Sequence, residues 1–341
     1  MMIKKLCLIS MLILSSHYSL CWADYTQAVI KSTTNANEKN IGDYWIGEDF
    51  AEGLRALNLP TETEYRTTYK SSYPTDKIFS IYMRGYTDFI PPFPNGCNIL
   101  YSYYPMAYHP FNESTPIKKE VPDFSNLDDD WQNFDLLTVA SISYVKELQK
   151  NNIDAFFIPQ FTNPQKFYPN PKDNLKSDIL FVGSNWHDRT SLRYALESGF
   201  TVDIYGYNWK GIVPDEMYKA DYIPNTELNS YYSSAKIVLN DHRPDMKKFG
   251  FVNNRIYDAT AAGALVISDY MPEIEQFYGD SVPMYKNKEE LKELLTYYLT
   301  HEDERLKKIQ QARQITLDNF TNVAVAKKML NLVKIHCPKT E

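Results

Sequence analysis

In the stretch Phe249-Gly-Phe-Val-Asn-Asn-Arg-Ile-Tyr-Asp-Ala-Thr-Ala-Ala-Gly-Ala-Leu-Val-Ile-Ser-Asp269, a glycine turn leads into Asn253, a residue type suited to an N-cap. The small residues from Asn254 to Ala262 read as a helix ended by Gly263, and the apolar run Ala264 to Ser268 reads as a strand. A helix that feeds a strand through one glycine is part of a βαβ unit, so an α/β fold with a parallel sheet is expected. Working outward, Asp178 to Val182, Thr201 to Tyr205 and Lys236 to Asn240 read as further strands. Helices are expected at Thr190 to Glu197, Glu227 to Ser234 and Lys288 to Leu299. The last carries Leu291, Leu294, Leu295, Tyr298 and Leu299 on one face, which marks it as scaffold. Asp303 to Lys334 reads as one or two closing helices.

The preceding half repeats the pattern. Ile78 to Met83, Asn98 to Tyr101, Asp135 to Val139 and Ala155 to Ile158 read as strands, with helices at Glu48 to Leu57 and Ser143 to Lys150. Gly42-Asp-Tyr-Trp-Ile-Gly47 reads as a tight turn before the first helix. Between Pro159 and Lys176 stand four prolines and no periodicity, the composition of a linker. The expected organisation is a domain over 24–160, a linker over 161–176, a second domain over 177–320 and a closing helix and tail over 321–341.

Met1 to Ala23 has Lys4-Lys5, an apolar run Leu6 to Leu14 and a polar end at Cys21-Trp22-Ala23, the layout of a secretory signal peptide. Export to a periplasmic or extracellular space follows, with retention as a membrane anchor the other possibility and no transmembrane helix expected after cleavage. The formal charge of the 341 residues is -7. Cleavage after Ala23 removes two lysines and no acid, and so deepens that charge by two. Such acidity excludes a broad phosphate-backbone footprint, so nucleic acid is not an expected partner. Beyond the first segment only Cys97 and Cys337 remain, which permits one disulfide or two buried thiols and no zinc framework.

Several residues carry chemistry. Asn254 and Asp258 stand one turn apart and share a helix face, with Arg255 beside them. An amide, a guanidinium and a carboxylate at a helix start suit a nucleoside diphosphate: N–H groups and Arg255 for phosphate, Asp258 for ribose hydroxyls. The same spacing also fits an Arg255–Asp258 surface ion pair on a packing helix. The strand Asp178 to Val182 runs into Gly183-Ser184-Asn185 and then Arg189, the strand–glycine–helix layout that cradles phosphate, although GxGxxG and a Walker lysine are both missing. Gly206-Tyr207 repeats it after the next strand. Asp128-Asp129-Asp130 reads as a solvated loop, and His187, His242 and His301 lack metal-ligand spacing.

The segment Asn240 to Asp269 resembles the C-terminal domain of CgeB-like (spore-maturation type) glycosyltransferases and, more distantly, the family 4 glycosyltransferases of GT-B fold. Ile158 to Pro169 is similar to their interdomain linker, and Gly42 to Leu57 to their first loop and helix. The resemblance implies two Rossmann-like domains facing across a cleft, a nucleotide-sugar donor as substrate, a metal-independent mechanism without cofactor, and a carbohydrate, lipid or protein acceptor. It matches Arg189 and Arg255 to diphosphate contacts, which with Gly183, Ser184, Asn254 and Asp258 make the expected donor-nucleotide site, and it puts the acceptor on the first domain, with Tyr44, Trp45 and the aromatic run Tyr101 to His109, Tyr104 among them, suited to stacking on a sugar and Asp43 and His109 as catalytic candidates. Asp258 stands where family 4 enzymes have a ribose-binding glutamate. Gly250 stands where they carry a first glutamate, a departure that leaves the donor-sugar contact open. Two other readings remain: an exported bilobal solute-binding protein, and a glycosyltransferase-like protein that binds nucleotide without catalysis. A single proline-rich connection between the two series favours the enzyme over lobes joined by several crossings.

Overall fold

A computed structural model describes residues 25–70, 73, 75, 77–84, 96–105 and 133–337. The expected signal peptide, His109 and Asp128 to Asp130 lie outside the described residues.

The first domain orders β1 (Gln27–Lys31), α1 (Gly42–Ala56), β2 (Thr61–Glu64), β3 (Ile78–Arg84), β4 (Cys97–Ser102), β5 (Leu136–Val139), α2 (Ile142–Lys150) and β6 (Phe156–Phe157). Its sheet runs β2-β1-β3-β4-β5-β6 with every pairing parallel. Every residue of β3, β4 and β5 is buried, as strands covered on both faces require.

The second domain contains β7 (Ser177–Val182), α3 (Thr190–Glu197), β8 (Asp203–Tyr205), β9 (Tyr218–Ala220), α4 (Asn225–Ser234), β10 (Ala235–Asn240), α5 (Pro244–Phe249), α6 (Asn254–Ala261), β11 (Leu265–Asp269), α7 (Pro272–Tyr278), β12 (Met284–Tyr285), α8 (Lys288–Thr300) and α9 (Glu302–Asn319). Its parallel sheet runs β12-β11-β10-β7-β8-β9. From central β7 the chain winds outward to β9 and then returns to β10 on the other side of β7. The order reverses there, and ligands of open parallel sheets bind outside the carboxyl ends of strands at such a point.

Three features depart from the sequence reading. Gly42 to Gly47 is the opening of α1, which begins six residues earlier than expected; at Gly47 a Cβ would stand 3.7 Å from Ile30 and Ser32 of the first strand and its loop. The supposed linker is tied down: Phe161, Thr162 and Asn163 are buried, and Thr162 forms a bridge with Thr321. The final helix, α10 (Asn322–His336), crosses back, so the domains are joined twice. Its Val325, Ala326, Met329, Leu330 and Val333 complete the core of the first domain beside Phe50 and Leu54 of α1. A Cys97–Cys337 disulfide fastens the end of that helix to β4. The double crossing removes a single connection as a criterion against binding-protein lobes. None of the described helices is long and apolar enough to cross a membrane.

Candidate functional site

The carboxyl edge of the second sheet and the start of α1 enclose a cleft of about 240 Å³. One wall carries Gly183, Ser184, Gly206, Tyr207 and Tyr222; the other carries Ile41, Gly42 and Trp45. The glycines are needed for close approach. Gly206 has φ +148°, and a Cβ on it would overlap the Gly183 carbonyl; a Cβ on Gly183 would stand 2.6 Å from the Arg189 guanidinium.

Arg189 is buried there by an ion pair. Its Nε and Nη2 donate to Asp241 Oδ1 at 2.9 and 2.5 Å, while Asp241 Oδ2 accepts from Ser191 N and Oγ at 3.2 and 2.8 Å. The pair ties the loop after β7 to the loop after β10 across the point where strand order reverses. Burial, with Arg189 and Arg243 nearby, draws the neighbouring His187 imidazole down to about 4, so it is neutral at physiological pH.

The helix start read from the sequence is half built. Arg255 donates from Nη1 to Asn240 Oδ1 at 2.7 Å and from Nη2 to the Val182 carbonyl at 2.6 Å, rather than pairing with Asp258. Asn253, the N-cap, makes no side-chain cap bond and spends its amide on the Asp241 carbonyl at 2.9 Å. Asp258 and Asn254 do meet on one face, at 2.7 Å, and Asp258 Oδ1 accepts from Thr162 Oγ1 at 2.7 Å. Burial pushes the Asp258 carboxyl well above the usual carboxylate range. Four buried polar atoms around this helix start have no hydrogen-bond partner among the described residues: His242 Nε2, Asn253 Oδ1, Asn254 Oδ1 and Arg255 Nε.

His242, weighed in the sequence only for metal-ligand spacing, has partners that the sequence did not offer. Its Nδ1 lies 2.7 Å from Asp269 Oδ1, and Lys247 reaches Asp269 at 3.2 Å. The available signal was polar Asn240-Asp241-His242 directly after an apolar strand. Gly250 has a local explanation: it caps α5 at φ 72°, and a side chain there would overlap the buried Glu273 carboxylate. Among the described residues, no three His, Cys, Asp or Glu side chains converge as a metal-binding group.

On the opposite wall, Trp45 lines the cleft, donates from Nε1 to the Lys39 carbonyl at 2.7 Å, and carries Lys166 over its ring at 5.3 Å. Tyr44 is buried and stacked on Tyr65 at 5.5 Å. Asp43 lies against the Tyr103 hydroxyl, which burial and that carboxylate push up. Tyr104 hydrogen-bonds Asp245 across the domains.

Residues 182–331 match the family described as glycosyl transferase-like. A curated relative, the spore protein CgeB of Bacillus subtilis (strain 168), is 27% identical over 197 residues, covering 52% of this chain and 60% of the relative. The match therefore leaves a good part of that relative's length unspanned. Among solved structures, a sucrose-phosphate synthase from Thermosynechococcus elongatus superimposes with a TM-score of 0.61 at 10% identity, covering 91% of this chain and 98% of that one. A T4 phage BGT mutant in complex with UDP-glucose gives 0.55 at 13% identity, with 91% and 99% covered. With parallel α/β sheets on both sides of the cleft and a glycosyl transferase-like domain on one of them, the chain has the GT-B glycosyltransferase fold and is similar to CgeB over about half of its length.

Proposed function

We propose that this protein transfers a sugar from a nucleoside-diphosphate donor to an acceptor held by the first domain. The observation that carries the reading is the set of partnerless buried atoms at the start of α6. Each such atom costs about 1–3 kcal/mol when left dry, so His242, Asn253, Asn254 and Arg255 make physical sense as groups awaiting a polar ligand. The uncapped N–H groups of α6 favour an anion, and Arg255 adds a fixed positive charge. Gly183 and Ser184 stand at the same edge, where the Gly183 N–H already donates to the Tyr205 carbonyl at 2.8 Å and its carbonyl accepts from Trp209 Nε1 at 2.7 Å. Asp258 has lone pairs left for a ribose hydroxyl beside Thr162 and Asn254.

In the reaction, the bond from the anomeric carbon to the diphosphate oxygen breaks while an acceptor oxygen bonds that carbon. The acceptor proton goes to a base, for which Asp43 in the first turn of α1 is the candidate. Charge growing on the leaving phosphate is met by the α6 amides and Arg255, without a protein-held cofactor in the scheme. The acceptor class, carbohydrate, lipid or protein, is left to experiment. Of the aromatic candidates on the first domain, Trp45 lines the cleft, while Tyr44 and Tyr104 are buried. The Cys97–Cys337 disulfide fits an exported protein, since such bonds persist in oxidising compartments.

The test is a panel of sugar nucleotides incubated with protein lacking residues 1–23, with release of nucleoside diphosphate as readout. One donor should be turned over, and Arg255→Ala should slow it on the order of 100-fold. Binding of nucleotide without turnover of any donor would leave a nucleotide-binding protein without catalysis; binding of neither would end the donor reading.

A further inference from the structure

We propose that the base of the donor is held between the rings of Tyr207 and Tyr222, an inference that rests on the donor reading above. Tyr207 follows Gly206 at the end of β8, and Tyr222 lies just beyond β9, so adjacent parallel strands deliver both rings to the same edge of the sheet. The ring planes are within 18° of parallel and their centroids are 6.5 Å apart. Two successive ring contacts of about 3.5 Å each span roughly 7 Å, so the spacing is close to what one inserted planar ring requires. Both tyrosines line the cleft, yet they stay 41% and 38% exposed.

The frame around the rings is fixed. Tyr207 N donates to Ser184 Oγ at 3.2 Å and Asn185 N donates to the Tyr207 carbonyl at 3.0 Å. A base between the rings therefore sits next to Gly183 and Ser184, from which the diphosphate runs toward the start of α6. Of the acidic side chains near the slot, Asp221 is engaged by the Tyr218 hydroxyl at 2.8 Å. Recognition by two ring faces uses the π-surface that every base offers.

Titration calorimetry of UDP, GDP and ADP against the full folded chain tests this, with Tyr207→Ala, Tyr222→Ala and the matching Phe variants. Each Ala variant should melt at the wild-type temperature and bind the preferred nucleotide roughly 10-fold or more weakly. Each Phe variant, which keeps the ring and loses the hydroxyl, should bind within about threefold of wild type. Ala variants that bind as tightly as wild type, or Phe variants as weak as Ala, would overturn the slot while leaving the donor reading intact. A wild-type chain that binds none of the three nucleotides would overturn both.

Discussion

Asp258 is enclosed with both carboxylate oxygens hydrogen-bonded, and burial raises its carboxyl well above the ordinary value of 3.8. Between that value and its own, the folded chain keeps a proton that the unfolded chain has released. Its contribution is therefore present at low pH and lost as pH rises through the folded value. Asp258→Asn should flatten that loss, seen as a smaller fall in melting temperature with rising pH than in wild type; parallel curves would refute the assignment. His187 works in the opposite direction, because its depressed value makes the fold lose stability as pH falls from 6.5 toward about 4. Gly206→Ala should destabilise by about 1–3 kcal/mol in denaturant titration, since the side chain meets both an unfavourable φ and the Gly183 carbonyl. At this scale the sequence was partly readable. The Asn254–Asp258 contact follows from helical spacing and the strand-ending glycines from local pattern, whereas Arg189–Asp241 and His242–Asp269 join residues 52 and 27 positions apart and have no local signature.

Helices and strands were legible where a long apolar or amphipathic pattern existed, as in β3, α8 and the α6–β11 unit. The short α5 and α7, each opened by a proline, and the two-residue β12 carry too little periodicity to be seen. The early start of α1 was hidden by Gly42 and Gly47, which favour turns in isolation; Gly47 is accommodated by packing against Ile30 of β1. The same helix shows why the ending of the chain matters. At Gly53 a Cβ would stand 2.5 Å from the Asn322 carbonyl, so α1 and α10 touch backbone to backbone. Gly53→Ala should push the helices apart and cost about 1–3 kcal/mol, readable as a lower denaturant midpoint. A midpoint equal to wild type would mean that the contact is looser than the structure has it.

Across the whole molecule, the two domains are held by side chains from both: Ser141 Oγ donates to the Phe249 carbonyl at 2.5 Å, Gln160 Nε2 to the Val252 carbonyl at 3.0 Å, and Ser143 pairs with Glu273. Proline content made the 161–176 segment look free, but burial of Phe161 and Phe167 and the Thr162–Thr321 bridge bind it into the interface. The disulfide closes a loop spanning 240 positions, from β4 to the end of α10. Cys337→Ser should lower stability by about 2–5 kcal/mol, and a reductant should lower the melting temperature of wild type and leave that of the variant unmoved. The carboxyl edge of the second sheet, with the partnerless atoms at the start of α6, is the proposed seat of a nucleoside diphosphate. Calorimetry of UDP, GDP, ADP and CMP against wild type and Arg255→Ala is the test: wild type should bind one diphosphate and the variant should lose it, whereas a wild type that binds none of the three diphosphates, or an Arg255→Ala variant that binds as tightly as wild type, would contradict the proposed site.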